Sequence, residues 1–187
     1  MSHNKYLEYF LNSRGNRDLI FNDTLNIFQS KPINILEIGA ARSLDFYNRQ
    51  GDGWSSLHYY QYIIKNGGTL TICDIDPKSI STCQELFANL ETSNVKFVVE
   101  DGLKLINEHY DLIYLDGSDD PNDMVLQLNA INLSKQVVLC DDFHTKGSLA
   151  IKYHPNVIIY GWRDSGHRMG LYRPNYLRSE IYIKQIQ

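Results

Sequence analysis

Ile33-Asn34-Ile35-Leu36-Glu37-Ile38-Gly39 is a short β-branched and aliphatic run stopped by a glycine, and its reading decides the fold. A run of this length that ends in Gly reads as a buried strand entering a tight turn. Downstream the same kind of run recurs over 70–73, 95–99, 112–115 and 136–140, each time separated from the next by a helical stripe. Strands alternating with helices indicate βα units and a mostly parallel sheet.

The helical stripes carry their own start signals. Leu57, Tyr60, Ile63 and Ile64 share one face of a helix expected over 55–65, with Ser55 or Ser56 as its cap. Asp76-Pro77 opens a second, with Ile80, Cys83, Leu86, Phe87 and Leu90 at helical spacing, and Asp120-Pro121 opens a third, with Met124, Val125, Leu128 and Ile131 facing inward. Only short helices fit around 103–107 and 147–152. Two late runs, 157–160 and 169–172, are joined by the short polar stretch 161–166. A parallel return needs a longer crossover, so these two strands must pair antiparallel and the sheet ends in a hairpin. Tyr6, Tyr9, Phe10, Leu19, Ile20, Leu25 and Phe28 suggest one or two covering helices in residues 1–30, whereas 176–187 suits either a last strand or a surface tail.

Composition bounds the function. At 187 residues, 43% hydrophobic and 21% charged, one globular domain is expected, and a net charge of −4 leaves no electrostatic footprint for nucleic acid. No apolar run is long enough for a membrane span, and Met1-Ser2-His3-Asn4-Lys5 lacks the build of a secretion signal, so the expected compartment is the cytoplasm. Cys73, Cys83 and Cys140 lie on strand-like or helical apolar positions, without the spacing of a metal site, and read as buried free thiols. A surface rich in tyrosine would suit a homodimer contact.

In an open α/β sheet ligands bind beyond the carboxyl ends of the strands, so the strand-end residues are the ones that matter. All five are acidic: Glu37 before Gly39, Asp74 and Asp76, Glu100-Asp101-Gly102, Asp116-Gly117 and Asp141-Asp142. Each alone could be a turn former or a helix cap. Together they point one edge of the sheet at a ligand. A glycine after the first strand lets backbone approach that ligand, and an acid after the second can accept from a ribose diol, needs met by Gly39 and Asp74. Gly39 is followed by Ala40-Ala41-Arg42-Ser43, so the G-x-G-x-x-G cradle for a pyrophosphate is missing. Glu37 would repel a phosphate yet suit an ammonium.

On these residues the chain resembles the class I S-adenosylmethionine-dependent methyltransferases over 33–142, and on to about 173 through the hairpin. The likeness lies in Ile35-Leu36-Glu37-Ile38-Gly39, Thr71-Ile72-Cys73-Asp74-Ile75-Asp76-Pro77, Val99-Glu100-Asp101-Gly102 and Tyr110-Asp111-Leu112-Ile113-Tyr114-Leu115-Asp116. The resemblance implies a Rossmann-like three-layer sandwich whose seven-stranded sheet runs 3-2-1-4-5-7-6. It also implies S-adenosylmethionine as cofactor, with Glu37, Gly39, Asp74, Asp101, Gly102 and Asp116 around it and Asp76 as a second ribose candidate that could equally cap its helix. Asp116 with Asp141-Asp142 is similar to the metal site of catechol-type small-molecule O-methyltransferases, which implies a divalent metal such as Mg²⁺ and a small-molecule hydroxyl acceptor. Asp142 could also simply cap the next helix.

Two features depart from that pattern. The Gly-x-Ser-Thr that usually follows the turn appears only at Gly53-Trp54-Ser55-Ser56, after an insertion over 42–52 bearing Phe46 and Tyr47. It stretches Gly39 to Asp74 to 35 residues, against about 20 in dinucleotide-binding folds. Asp119 stands where related enzymes often carry a His or Lys. His144 is then the first candidate for the catalytic base, Lys146 a weaker one, and His167, beside Arg163 and Arg168, could reach the same edge. His3, His58, His109 and His154 show no ligand-like pairing, and Trp54 and Trp162 read as core or rim. The leading expectation is metal-assisted O-methylation of a small molecule. An NAD- or nucleotide-sugar-dependent enzyme, or a non-catalytic binding module, remains the alternative.

Overall fold

The computed structural model describes residues 4–15, 17–49, 54–161 and 167–174. His3, Gly53, Trp162, Arg163, part of the 42–52 insertion and the 176–187 tail lie outside them. In chain order the elements are α1 (Lys5–Asn12), α2 (Asp18–Asn26), β1 (Ile33–Ile38), α3 (Ser55–Asn66), β2 (Gly68–Asp74), α4 (Pro77–Leu86), β3 (Val95–Val99), β4 (Leu112–Leu115), α5 (Pro121–Ala130), β5 (Val137–Cys140), α6 (Phe143–Tyr153), β6 (Ile158–Gly161) and β7 (Arg168–Tyr172). The sheet order is β3-β2-β1-β4-β5-β7-β6, as the resemblance implied. β1 to β5 pair parallel, and β7 runs antiparallel to both β5 and β6.

Period-two alternation along each strand splits the interior into two cores. Ile35, Ile72, Tyr114 and Leu139 face one side, where α1 to α4 pack through residues such as Phe10, Phe21, Leu57 and Cys83. Leu36, Ile38, Ile113, Leu115 and Cys140 face the other, covered by α5 and α6. Glu37 shares the face of Ile35, so its carboxylate is delivered into the core under α3 rather than to the open edge. All three cysteines are buried free thiols.

Several boundaries differ from expectation, for identifiable reasons. Neither Ser55 nor Ser56 caps α3: Trp54 holds the cap position at φ 47° with no side-chain cap bond. Ile64 points outward and is 49% exposed. The turn after β3 is a short 3₁₀ helix, Gly102–Lys104, and α4 stops at Leu86 although Phe87 and Leu90 still pack. α6 begins at Phe143, not near Gly147, and the Phe143 ring lies over Gly147 and Gly170. A Cβ at either glycine would meet that ring at 2.4 or 2.6 Å, so both serve packing and neither interrupts its element. Among the described residues no helix is long and apolar enough to cross a membrane.

Candidate functional site

β1 and β4 are neighbours, yet the chain leaves them toward opposite sides of the sheet, so a crevice opens at their carboxyl ends. Gly39 sits at its apex with φ 98°, donating its N–H to the Cys73 carbonyl at 2.8 Å. A Cβ there would stand 2.7 Å from the Asp116 carbonyl carbon and oxygen, so only glycine lets the β1 turn lie against the β4 turn.

Two cavities meet over this glycine. The larger, about 280 Å³, is walled by Gly39, Asp74, Asp101, Gly102, Gly117, Ser118, Asp123 and Gln127 among others. Asp74 accepts from Ala40 N at 3.0 Å through Oδ2 and from Asp76 N at 2.8 Å through Oδ1. Oδ2 thus locks the β1 turn to the end of β2, Oδ1 closes the turn after β2, and each oxygen keeps one lone pair for a ligand. Asp101 accepts from Leu103 N at 2.9 Å and also borders the cavity. Gly102 lies against Ile38, where a Cβ would be 2.5 Å from Cγ2. Asp76 does not line the cavity; its oxygens accept from Lys78 N at 2.9 Å and Ser79 Oγ at 3.3 Å, which makes it the α4 cap.

The smaller cavity, about 40 Å³, lies between Arg17, Ala40, Arg42, Trp54, Ser55, Asp116, Asp141 and Asp142. Glu37 stands behind it. Ser55 Oγ donates to Glu37 Oε1, no hydrogen bond reaches Oε2 among the described residues, and complete burial pushes the carboxyl up to about 7 against the pull of Ser55. Asp116 and Asp141 are set apart by their surroundings. Burial, then the nearby Asp141 charge, hold Asp116 well above the carboxylate range. Asp141 is also buried, but its bonds to His167 and Arg17 outweigh desolvation and keep it ionised. Its Oδ2 receives Arg17 Nη1 and the Tyr114 hydroxyl at 2.9 Å, and its Oδ1 the Asp142 N–H at 2.8 Å and His167 Nε2 at 3.0 Å.

The two expected bases part company. The Lys146 ammonium is buried and donates to the Ser118 carbonyl at 2.7 Å, tying α6 to the turn after β4. His144 is exposed on the first turn of α6, its ring centroid 5.0 Å from that of His167. His167 also places Nδ1 3.4 Å from Asp142 Oδ1. Sequence reasoning missed Arg17, whose position before α2 carries no local signal. It also missed Asp123 and Gln127, although their i, i+4 spacing beside the apolar stripe of α5 puts both on one polar face.

No family model matches the sequence, and no curated protein is similar to it. Solved structures are. A SAH-bound methyltransferase of Podospora anserina, PaMTH1, aligns at a TM-score of 0.57 and 17% identity, covering 91% of this chain and 87% of that one. Human methyltransferase-like protein 13, in complex with SAH, gives 0.58 and 15%, covering 87% and 84%. An rRNA methylase of Streptococcus thermophilus gives 0.58 and 8%, covering 83% and 95%. At such identities the likeness establishes the fold.

Proposed function

We propose that this protein transfers a methyl group from S-adenosylmethionine to a hydroxyl of a small molecule. The observation that carries the reading is the pair of cavities meeting over Gly39, with Asp74 and Asp101 in the wall of one and the Asp116–Asp141–Asp142 group in the wall of the other. The residues fit the cofactor: Asp74 keeps acceptor capacity for a ribose diol, Asp101 for an adenine amino group, and the Gly39 turn has no room for a Cβ. Glu37, buried behind Ser55 and raised to about 7 by that burial, gains its negative charge when an ammonium at the small cavity draws the proton off, without itself lining the cavity. When bound, the cofactor supplies an electrophilic methyl on a sulfonium.

The protein's own work is to hold both reactants in line and to handle the acceptor proton. His144 is the group we assign to that proton, being exposed on the first turn of α6, two residues from Asp142 in the wall of the small cavity, while Lys146 holds the turn after β4. SAH in two of the similar structures, named as methyltransferases, supports the donor. A net charge of −4 and an acidic binding edge favour a small acceptor over a nucleic acid.

Mg²⁺ held by Asp116, Asp141 and Asp142 does not fit this arrangement. Both Asp141 oxygens are filled by four donors, which leaves no lone pair there for a cation, so no step is routed through that ion. Calorimetry with S-adenosylmethionine, S-adenosylhomocysteine and NAD tests the donor. Micromolar binding of the first two and none of NAD is expected, whereas NAD binding tighter than the methyl donor overturns the reading. Transfer of labelled methyl to a panel of phenols and catechols, against amines as controls, tests the acceptor.

A further inference from the structure

We propose that Asp142, His144 and His167 bind one divalent transition-metal ion at the β5–α6 edge, a site that shares only Asp142 with the three-aspartate set. Among the described residues, these three bring one ligand atom each to within 4.8 Å of one another. His167 Nδ1 and Asp142 Oδ1 are 3.4 Å apart. Two ligands bonded at 2.0–2.2 Å with a tetrahedral angle between them stand roughly 3.3–3.6 Å apart, so this pair already has the separation an ion needs. His144 is exposed and can turn its ring to complete the set.

The surroundings of each ligand serve such a site. His167 presents Nε2 to Asp141 Oδ1 at 3.0 Å, and that carboxylate, buried between Arg17 and Tyr114, is an acceptor. The proton on Nε2 is thereby fixed, and Nδ1 is turned to Asp142, the carboxylate–histidine–metal relay in which an outer carboxylate orients the ligating imidazole. Asp142 stands at the α6 cap position, but unlike Asp76 and Asp120, whose side chains cap α4 and α5, it makes no cap bond. It adopts φ 46°, and its carboxylate oxygen lies beside His167 instead.

Two imidazoles and one carboxylate form a borderline ligand set that suits Zn²⁺, Fe²⁺, Mn²⁺, Co²⁺ or Ni²⁺ and leaves positions open for water or substrate, whereas Mg²⁺ and Ca²⁺ prefer oxygen alone. Asp142 also lines the small cavity, so an ion here would border the acceptor side. That last consequence rests on the methyl-transfer reading and would shift the acidifying role from a free His144 to the ion. Metal binding itself stands apart from it.

The test uses the full chain, stripped with chelator and titrated with Co²⁺ while visible absorption and calorimetry are read. One Co²⁺ per chain is expected, with ligand-field bands that Zn²⁺ abolishes and excess Mg²⁺ leaves intact. His144→Ala changes an exposed side chain and His167→Ala a partly buried one. Each should weaken Co²⁺ binding at least tenfold with an unchanged circular dichroism spectrum, and Asp141→Asn should weaken it about 10–100-fold through the outer contact. His154→Ala, away from the cluster, should bind as the parent does. Absence of a stoichiometric Co²⁺ site, or equal binding by parent and His144→Ala, overturns the proposal. Cofactor affinity measured without metal is read separately, so failure of the methyl-transfer reading cannot be mistaken for failure of this one.

Discussion

Replacing Glu37 by Gln should change how stability depends on pH before it changes anything else. Glu37 is 0% exposed and titrates at about 7, against 4.5 for the free group. A carboxyl raised on folding favours the folded state while it is protonated. Its contribution is therefore complete below about pH 4.5 and is lost as pH climbs through 7. Each pH unit by which folding raises the group is worth about 1.4 kcal/mol, so the loss between pH 5 and 8 is roughly 3 kcal/mol. For a chain of this length that is about 6–12 °C in Tm. Glutamine keeps the shape and the neutral hydrogen bond from Ser55 but cannot ionise, so its Tm should decline less over this window by that amount. Thermal unfolding followed by circular dichroism at pH 5 to 8.5 reads the difference, in which the titrations of other groups cancel. Parallel curves for parent and variant would refute the burial argument. Added S-adenosylmethionine provides a second arm: if its ammonium meets the ionised Glu37, the ligand should restore most of the parent's loss at pH 8 and less of the variant's.

Asp74→Ala removes the acceptor that joins the two turns and faces the larger cavity, and should raise the cofactor Kd by roughly 10–100-fold in calorimetry, one charged hydrogen bond being worth about 1.5–3 kcal/mol. Asp76→Ala should instead cost about 1 kcal/mol of stability through the lost α4 cap and leave cofactor affinity within about twofold. Gly39→Ala must force its Cβ into the Asp116 backbone at φ 98°, so chemical denaturation should show a loss of at least about 1–2 kcal/mol together with lost cofactor binding. Arg17→Met strips the cation from a carboxylate 1% exposed, and urea unfolding should show a loss of about 3 kcal/mol, toward the low end for a broken buried pair because Tyr114 and His167 still donate to Asp141.

The parts of this protein that were legible are those encoded locally. β1 to β5 and the Asp-Pro caps of α4 and α5 are each encoded by a short local run, the hairpin by the two runs over 157–172, and the acid after each strand follows from where the strand stops. What one residue reads as locally can still mislead. Ser55 has the chemistry of a cap, but the odd-numbered face of β1 buries Glu37 beneath it, and a serine hydroxyl next to a desolvated carboxyl is claimed by the carboxyl. Gly147 has the chemistry of a break, yet a ring four residues earlier needs the space.

The division of labour among the acids was beyond local reading for a related reason. Asp116, Asp141 and Asp142 arrive at one edge as equals in sequence, and only the partners that other elements bring make them different. Arg17, 124 residues away from Asp141, fixes one carboxylate as a buried ionised anchor. That anchor adds its charge to the burial that holds Asp116 above the carboxylate range, and it orients His167, which in turn draws Asp142 away from capping α6. A change at Arg17 should therefore be felt at His167 and Asp142, neither of which it touches in this chain of contacts. Through Arg17 the segment leading into α2 therefore sets the state of the acids at the sheet edge as well as covering the core.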